Sequence, residues 1–226
     1  MLIIAVGAVA FASTAGAETK DSWDEILAED VTFDAETGRI TYTLPEAALV
    51  RIRIGLPEGG PLLSNLIDWE HQEAGPQEVV WNFRDKTGKV NFGTKRNYIL
   101  TIKCFPAPIK QREGMNTHVA GYRHEPKFDV TFPESELTKG IPQMDHLDPI
   151  RVMLAEEDRR WLTETKYEVA LFIDNVLLME EEEGINPFTY RLDTRGFRAG
   201  KHKITLTIVG YEGEIGTQSF WIHVVN

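Results

Sequence analysis

The chain has 226 residues, 42% hydrophobic and 26% charged, enough apolar material for one large core or two small ones. Its 24 basic residues stand against 35 acidic ones, a net charge of −11 that argues against nucleic acid and anionic membrane surfaces, both of which need clustered Lys and Arg. A single cysteine, Cys104, excludes an internal disulfide and a thiolate metal cluster, so packing alone must hold the fold.

Residues 1–17, "MLIIAVGAVAFASTAGA", carry no charged side chain and end in the small-x-small run Ala15-Gly16-Ala17, after which Glu18-Thr19-Lys20-Asp21 turns abruptly polar. This predicts a secretory signal peptide, although the positive n-region of such a leader is missing. The competing reading is an uncleaved N-terminal anchor, and the stretch falls short of the roughly 20 apolar residues that span a bilayer. Export without disulfides suits a bacterial periplasm or cell surface.

Residues 21–29, "DSWDEILAE", predict a short helical turn. Period-2 alternation then takes over. Ile40, Tyr42 and Leu44 alternate with threonines; Val50, Ile52, Ile54 and Leu56 alternate with Arg51, Arg53 and Gly55. Val79, Trp81 and Phe83 form a third set, and Tyr98, Leu100, Ile102 and Cys104 a fourth. Each run has one apolar and one wetter face, which predicts half-buried antiparallel strands and a buried, inert Cys104. Turn chemistry separates them at Glu36-Thr37-Gly38, Pro57 through Pro61, Ala74-Gly75-Pro76 and Asp85 through Gly88. On this pattern Trp81 and Phe83 share the inward face of a strand, and Trp81 is the core pin of its module.

Residues 105–149 are rich in proline and polar turns, with one strand-like stretch at Lys127–Phe132, and predict a long connection. A second alternating series follows: Ile150, Val152 and Leu154; Val169, Leu171 and Ile173; Ile204, Leu206 and Ile208; Phe220, Ile222 and Val224. Glu156–Leu162 is the one further helical stretch. The expected architecture is all-β: two β-sandwich domains in tandem after a hydrophobic leader, at 24–106 and 141–226, joined by 107–140.

The first half carries Ile40-x-Tyr42-x-Leu44-Pro45-Glu46, Val50-Arg51-Ile52-Arg53-Ile54, Ala74-Gly75, Val79-Val80-Trp81-Asn82, Asp85-x-x-Gly88 and Tyr98-x-Leu100. In these it resembles the immunoglobulin-like module of flagellar hook-capping proteins of the FlgD type, with Phe83 and Asn97 where that family usually has glycine. The second half carries Val169-x-Leu171-Phe172-Ile173-Asp174, Pro187 through Thr194, Gly200-Lys201-His202-Lys203-Ile204-Thr205-Leu206 and Gly213-x-x-Gly216. It resembles a different bacterial immunoglobulin-like module, an accessory unit of secreted enzymes and adhesins, with Leu192 in place of the usual tryptophan. Both resemblances imply binding or spacing and no reaction; neither implies hook assembly.

Catalytic signatures are missing: the sequence has no G-x-S-x-G, H-E-x-x-H, P-loop or G-x-G-x-x-G. His118, His124 and His146 lack recognised ligand spacing and read as solvated loop residues, His202 as a strand-end residue, and Glu180–Glu183 as a solvated hairpin tip. No cofactor is expected. The alternation leaves Met153, Phe172 and Trp221 pointing outward with His223 beside Trp221, which predicts an exposed aromatic patch that docks a partner protein or the first module. The expected function is therefore a non-enzymatic, exported binding or scaffolding protein, an accessory or extrinsic subunit of an envelope or membrane-associated complex. The alternative is a cell-surface adhesion or carbohydrate-binding module.

Overall fold

Most of the alternating runs form strands, and the strands assemble into two separate units. The computed structural model describes the backbone of Ile3–Ile4 and residues 26–94, 97–107 and 123–225. Apart from Ile3–Ile4, the expected leader lies outside the described residues, as does His118. Met1–Pro57, Ser64–Arg84 and Phe92–His124 form the first unit; Glu58–Leu63, Asp85–Asn91 and Glu125–Asn226 form the second.

In the first unit, β2 (Glu29–Asp34), β3 (Arg39–Leu44) and β6 (Gly75–Val80) make one antiparallel sheet in that order. The second sheet runs β1 (Ile3–Ile4), β7 (Ile99–Pro106), β4 (Ala48–Gly55) and β5 (Leu62–Gln72); β1 is parallel to β7, and the first unit holds β5 from Ser64 onward. The alternating residues Ile40, Tyr42, Leu44, Val50, Ile52, Ile54, Leu100 and Cys104 are all buried between them. Burying each large apolar side chain contributes roughly 1.5–3 kcal/mol.

Two expectations for this unit need correction. Of the helical turn expected at residues 21–29, residues 21–25 lie outside the described residues, while Ile26 makes an isolated bridge to Cys104 and Glu29 opens strand β2. Strand β6 ends at Val80, so Trp81 and Phe83 face inward from the loop that follows it, Phe83 with a positive φ of 60°. Trp81 remains the pin: its ring lies 4.9 Å from Tyr98, 5.0 Å from Phe83 and 6.1 Å from Phe92, and its Nε1–H donates to the Arg84 carbonyl at 3.1 Å. The β2–β3 turn closes on it. Gly38, at φ +75°, accepts the Trp81 N–H at 2.9 Å, and a Cβ there would sit 2.0 Å from the Trp81 carbonyl oxygen. Only glycine fits.

In the second unit, β8 (Phe128–Thr131), β11 (Asp148–Leu154) and β14 (Phe188–Leu192) form one sheet in the order β14-β11-β8. The other sheet contains β9 (Glu136–Thr138), β10 (Ile141–Met144), β12 (Tyr167–Ile173), β13 (Val176–Glu181), β15 (Gly200–Gly210) and β16 (Ile215–Val224). Its order is β13-β12-β15-β16-β10-β9. The inward sets Ile150/Val152/Leu154, Val169/Leu171/Ile173, Ile204/Leu206/Ile208 and Ile222/Val224 form its core. The helix α1 (Glu156–Thr165) is anchored by buried Asp158, which accepts the Lys127 N–H at 2.7 Å and the Trp161 indole N–H at 3.0 Å.

Three strands flanking the core on one side (β8, β11, β14) against four on the other (β13-β12-β15-β16) is the immunoglobulin-like arrangement, and β2-β3-β6 against β5-β4-β7 follows it in the first unit. The protein is all-β, built of sandwiches. The second unit, however, takes in the chain from Glu125: β8 is the strand-like stretch expected at Lys127–Phe132, and β9 is a further strand in the segment expected to be connection. Strand β9 is fully exposed, so it shows no alternation by which the sequence could mark it.

Candidate binding groove

The four residues expected to form one exposed patch do not form one. Met153 is 42% exposed, but it sits on β11, in the other sheet. Phe172 lies on β12 in the same sheet as Trp221, as expected, yet it is only 8% exposed. The reason is that its face of the sheet is covered: Ala170, Lys203, Thr205, Thr207 and Ser219 are buried along with it. Most of the polar groups on that face find partners, the Thr207 hydroxyl being without one among the described residues. Thr205 Oγ1 and Ser219 Oγ share a hydrogen bond of 2.8 Å, Lys203 Nζ donates to Asn175 Oδ1 at 2.5 Å, and Thr217 Oγ1 donates to the Leu62 carbonyl at 2.9 Å. A face of threonines reads as solvated in sequence and is dry in the fold. His223 is exposed on the same face of β16 as half-buried Trp221.

Trp221 does belong to a site. A groove of 640 Å³ opens beside β16, lined on that strand by four consecutive residues, Gln218 through Trp221. Successive residues of a strand point to opposite faces, so four in a row can line one cavity only if it runs along the strand edge. The pairing explains the opening: β15 pairs with β16 along its whole length, whereas β10 pairs with it only at His223 and Val224. Beyond that point no described strand pairs with the edge, although the Gln218 side chain donates to the Phe128 carbonyl of β8. Lys139 through Pro142 form a second wall, and Val130 and Phe132, from β8 and just past it, a third. Phe132 and Phe220 meet edge to face at 5.2 Å and give the groove an aromatic floor.

Its charge is opposite to that of the chain. Lys89, Lys139 and Lys201 line it, with Thr87, and among the described residues no carboxylate does. The Lys201 ammonium lies 4.0 Å from the centre of the Trp221 ring, a cation–π contact across the β15–β16 pair that occupies one face of the indole. The turn bearing Thr87 and Lys89 is built by buried Asp85, whose carboxylate accepts the Val90 N–H at 2.7 Å and the Thr87 N–H at 3.1 Å, and it is tied down by an ion pair from Lys86 to Glu125.

Elsewhere the polar clusters serve the fold. On β4, Arg51 is buried, its Nε 2.8 Å from Asp68 Oδ1, its Nη2 donating to the Arg123 carbonyl at 3.0 Å and its guanidinium 4.2 Å from the Trp69 ring centre. Arg53 Nε donates to Asn65 Oδ1 at 2.9 Å. These pairs tie β5 to β4 and were invisible in sequence, where Arg51 and Arg53 mark the wetter face.

His202 has acceptors on both ring nitrogens, Asp174 Oδ2 at 2.6 Å and the Arg198 carbonyl at 2.7 Å. Burial lowers its pKa, but the two hydrogen bonds and the Asp174 charge outweigh that and leave it raised. It closes the strand end, as expected of that position. His146 pairs with Asp193 at 3.2 Å, and Arg195, chelating the same carboxylate, holds Asp193 well below the usual carboxylate range. Among the described residues no three His, Cys, Asp or Glu converge on a point where a metal ion would sit. Glu180–Glu183 are all exposed. No helix among the described residues is long and apolar enough to cross a membrane.

No protein-family model matches the sequence, and no curated protein matches it. Solved structures do. The chain is similar to fibronectin(III)-like modules of Clostridium thermocellum CbhA, at 14% identity and a TM-score of 0.28 over 43% of this chain and 96% of that one. It is similar to the endo-beta-1,4-mannanase from Thermotoga petrophila, at 13% identity and a TM-score of 0.33 over 66% of this chain and 30% of that one. Murine CEACAM1b is similar at 10% identity and a TM-score of 0.27, over 84% of this chain and 94% of that one.

Proposed function

We propose that this is a non-enzymatic, exported binding and scaffolding protein, an accessory or extrinsic structural subunit of an envelope or membrane-associated protein complex. The observation that carries the reading is the groove beside β16: a strand edge that no described strand pairs beyond His223, over an aromatic floor and rimmed by lysines on a chain of net negative charge. Such an edge supplies main-chain hydrogen bonds, and the floor supplies apolar contact, the combination by which an extended protein segment is held. The apolar residues 1–17 support export to a bacterial periplasm or cell surface, with attachment through the N-terminus if they are retained. We read the first unit as the hook-capping type of module it resembles, acting as a spacer.

Protein is favoured over glycan as the ligand because one face of Trp221 is already taken by Lys201, leaving the groove without the row of open aromatic platforms that sugar rings stack upon. The test is site-specific photo-cross-linking in the native membrane fraction. Leu137, 67% exposed at the groove, accepts a photoreactive side chain without disturbing the core. A discrete protein adduct from position 137, and none from Met153 on the other sheet, is expected. Adducts from Met153 with none from position 137 would overturn the reading.

A further inference from the structure

The sheet that opens the groove beside β16 also ends, on its other side, in a strand with one free edge. Strand β13 is the edge opposite, paired only with β12 among the described strands. Val176 is 68% exposed and Leu177 is exposed beside it, and the strand runs directly into Glu180–Glu183, none of which has a cationic partner among the described residues. An exposed edge with apolar residues is a template for strand addition; consecutive glutamates keep it from pairing with a copy of itself, since like charges would oppose. They do not keep it from pairing with a lysine-lined edge. The groove at β16 is lined by Lys89, Lys139 and Lys201, with no carboxylate among the described residues, over Phe220 and Trp221.

From this complementarity we infer that the occupant of the groove is the β13 edge of a second copy of the chain, so that copies associate head to tail, sheet continuing into sheet. The inference rests on the reading of the groove as a protein-binding site and names its partner. Because the two surfaces differ, the contact is heterologous: a joined pair keeps one free groove and one free edge between its two copies, and assembly extends into rows rather than stopping at a symmetric dimer. That is the behaviour a scaffold laid along a larger complex requires.

The experiment uses the full chain in sedimentation velocity, with two variants changed at exposed positions, Glu180→Lys/Glu182→Lys at the edge and Lys139→Glu/Lys201→Glu at the groove. The wild type is expected to show mass rising with concentration. The association should weaken at least tenfold between about 50 and about 500 mM salt, as the screening length falls from about 14 Å to about 4 Å. Each variant alone sets like charges together and is expected to remain monomeric. Mixed in equal amounts, the two restore opposite charge at every junction and should associate again, as should the chain carrying all four changes. A wild type that stays monomeric up to about 1 mM protein, or variants that do not recover on mixing, would overturn the inference. The two claims fail separately. A cross-link from position 137 to a different protein, with the purified chain monomeric, removes the self-association and leaves the binding function standing; no adduct at 137 removes the binding function.

Discussion

Replacing Trp81 by alanine tests the packing argument for the first unit. The side chain is fully buried against Tyr98, Phe83 and Phe92 and donates one hydrogen bond to the Arg84 carbonyl. An aromatic of this size buries up to about 250 Å², and at about 25 cal/mol per Å² the transfer loss is about 6 kcal/mol as an upper bound. Partial collapse of the site brings the expected cost to about 3–5 kcal/mol. With a urea m-value of about 2 kcal/mol per M, the midpoint should fall by roughly 2 M. Trp81→Phe keeps a ring in the cluster and should lose well under half as much. The assay is urea unfolding read by hydrogen exchange of β4 and β7 peptides, which reports the first unit by itself. A midpoint for Trp81→Ala within a few tenths of a molar of wild type would refute the reasoning, because a ring so enclosed cannot be removed at no cost.

Gly38→Ala should destabilise the same peptides by more than the roughly 1 kcal/mol of an ordinary left-handed alanine, since its Cβ would meet the Trp81 carbonyl oxygen at 2.0 Å; an unchanged urea midpoint contradicts the turn geometry. Asp68→Leu removes a carboxylate from the buried Arg51 and should cost about 3–5 kcal/mol, whereas Arg51→Met/Asp68→Leu should recover much of it; equal losses in urea titrations of the two would contradict the ion-pair account. The His202 pKa is raised in the folded state, so its contribution is fully present below the ordinary value of 6.5 and is lost as pH rises through the folded value. Urea midpoints read at β12 and β15 should therefore fall on going from slightly acid to mildly alkaline pH, and His202→Gln should flatten that slope; a slope unchanged in the variant would assign it to other groups.

Much of the fold was legible because one face of each central strand is uniformly apolar. Ile150/Val152/Leu154 and Ile204/Leu206/Ile208 leave no second register. What misled was the opposite face. Threonine, serine, lysine and arginine there look solvated, yet Thr205, Ser219, Lys203 and Arg51 are buried because each finds a partner: Ser219, Thr205, Asn175 and Asp68. Phe172 was misjudged for the same reason. Strand β5 escaped because its buried residues include Ser64 and Asn65, which break the apolar rhythm until Arg53 is seen to satisfy Asn65. The groove was legible only at Trp221. Its walls come from residues 87, 89, 130–142, 201 and 218–221, and nothing in a linear pattern says that β10 leaves β16 after two pairs.

Amide hydrogen exchange of the chain within its native membrane fraction, set against the purified chain at high dilution, probes the β16 edge most directly. Occupation of the groove predicts slowed exchange at Gln218 through Trp221 and Lys139 through Ile141, with the β11 peptide bearing Met153 unchanged. Protection at Met153 instead, with the β16 edge exchanging as fast as in the dilute chain, would contradict the account.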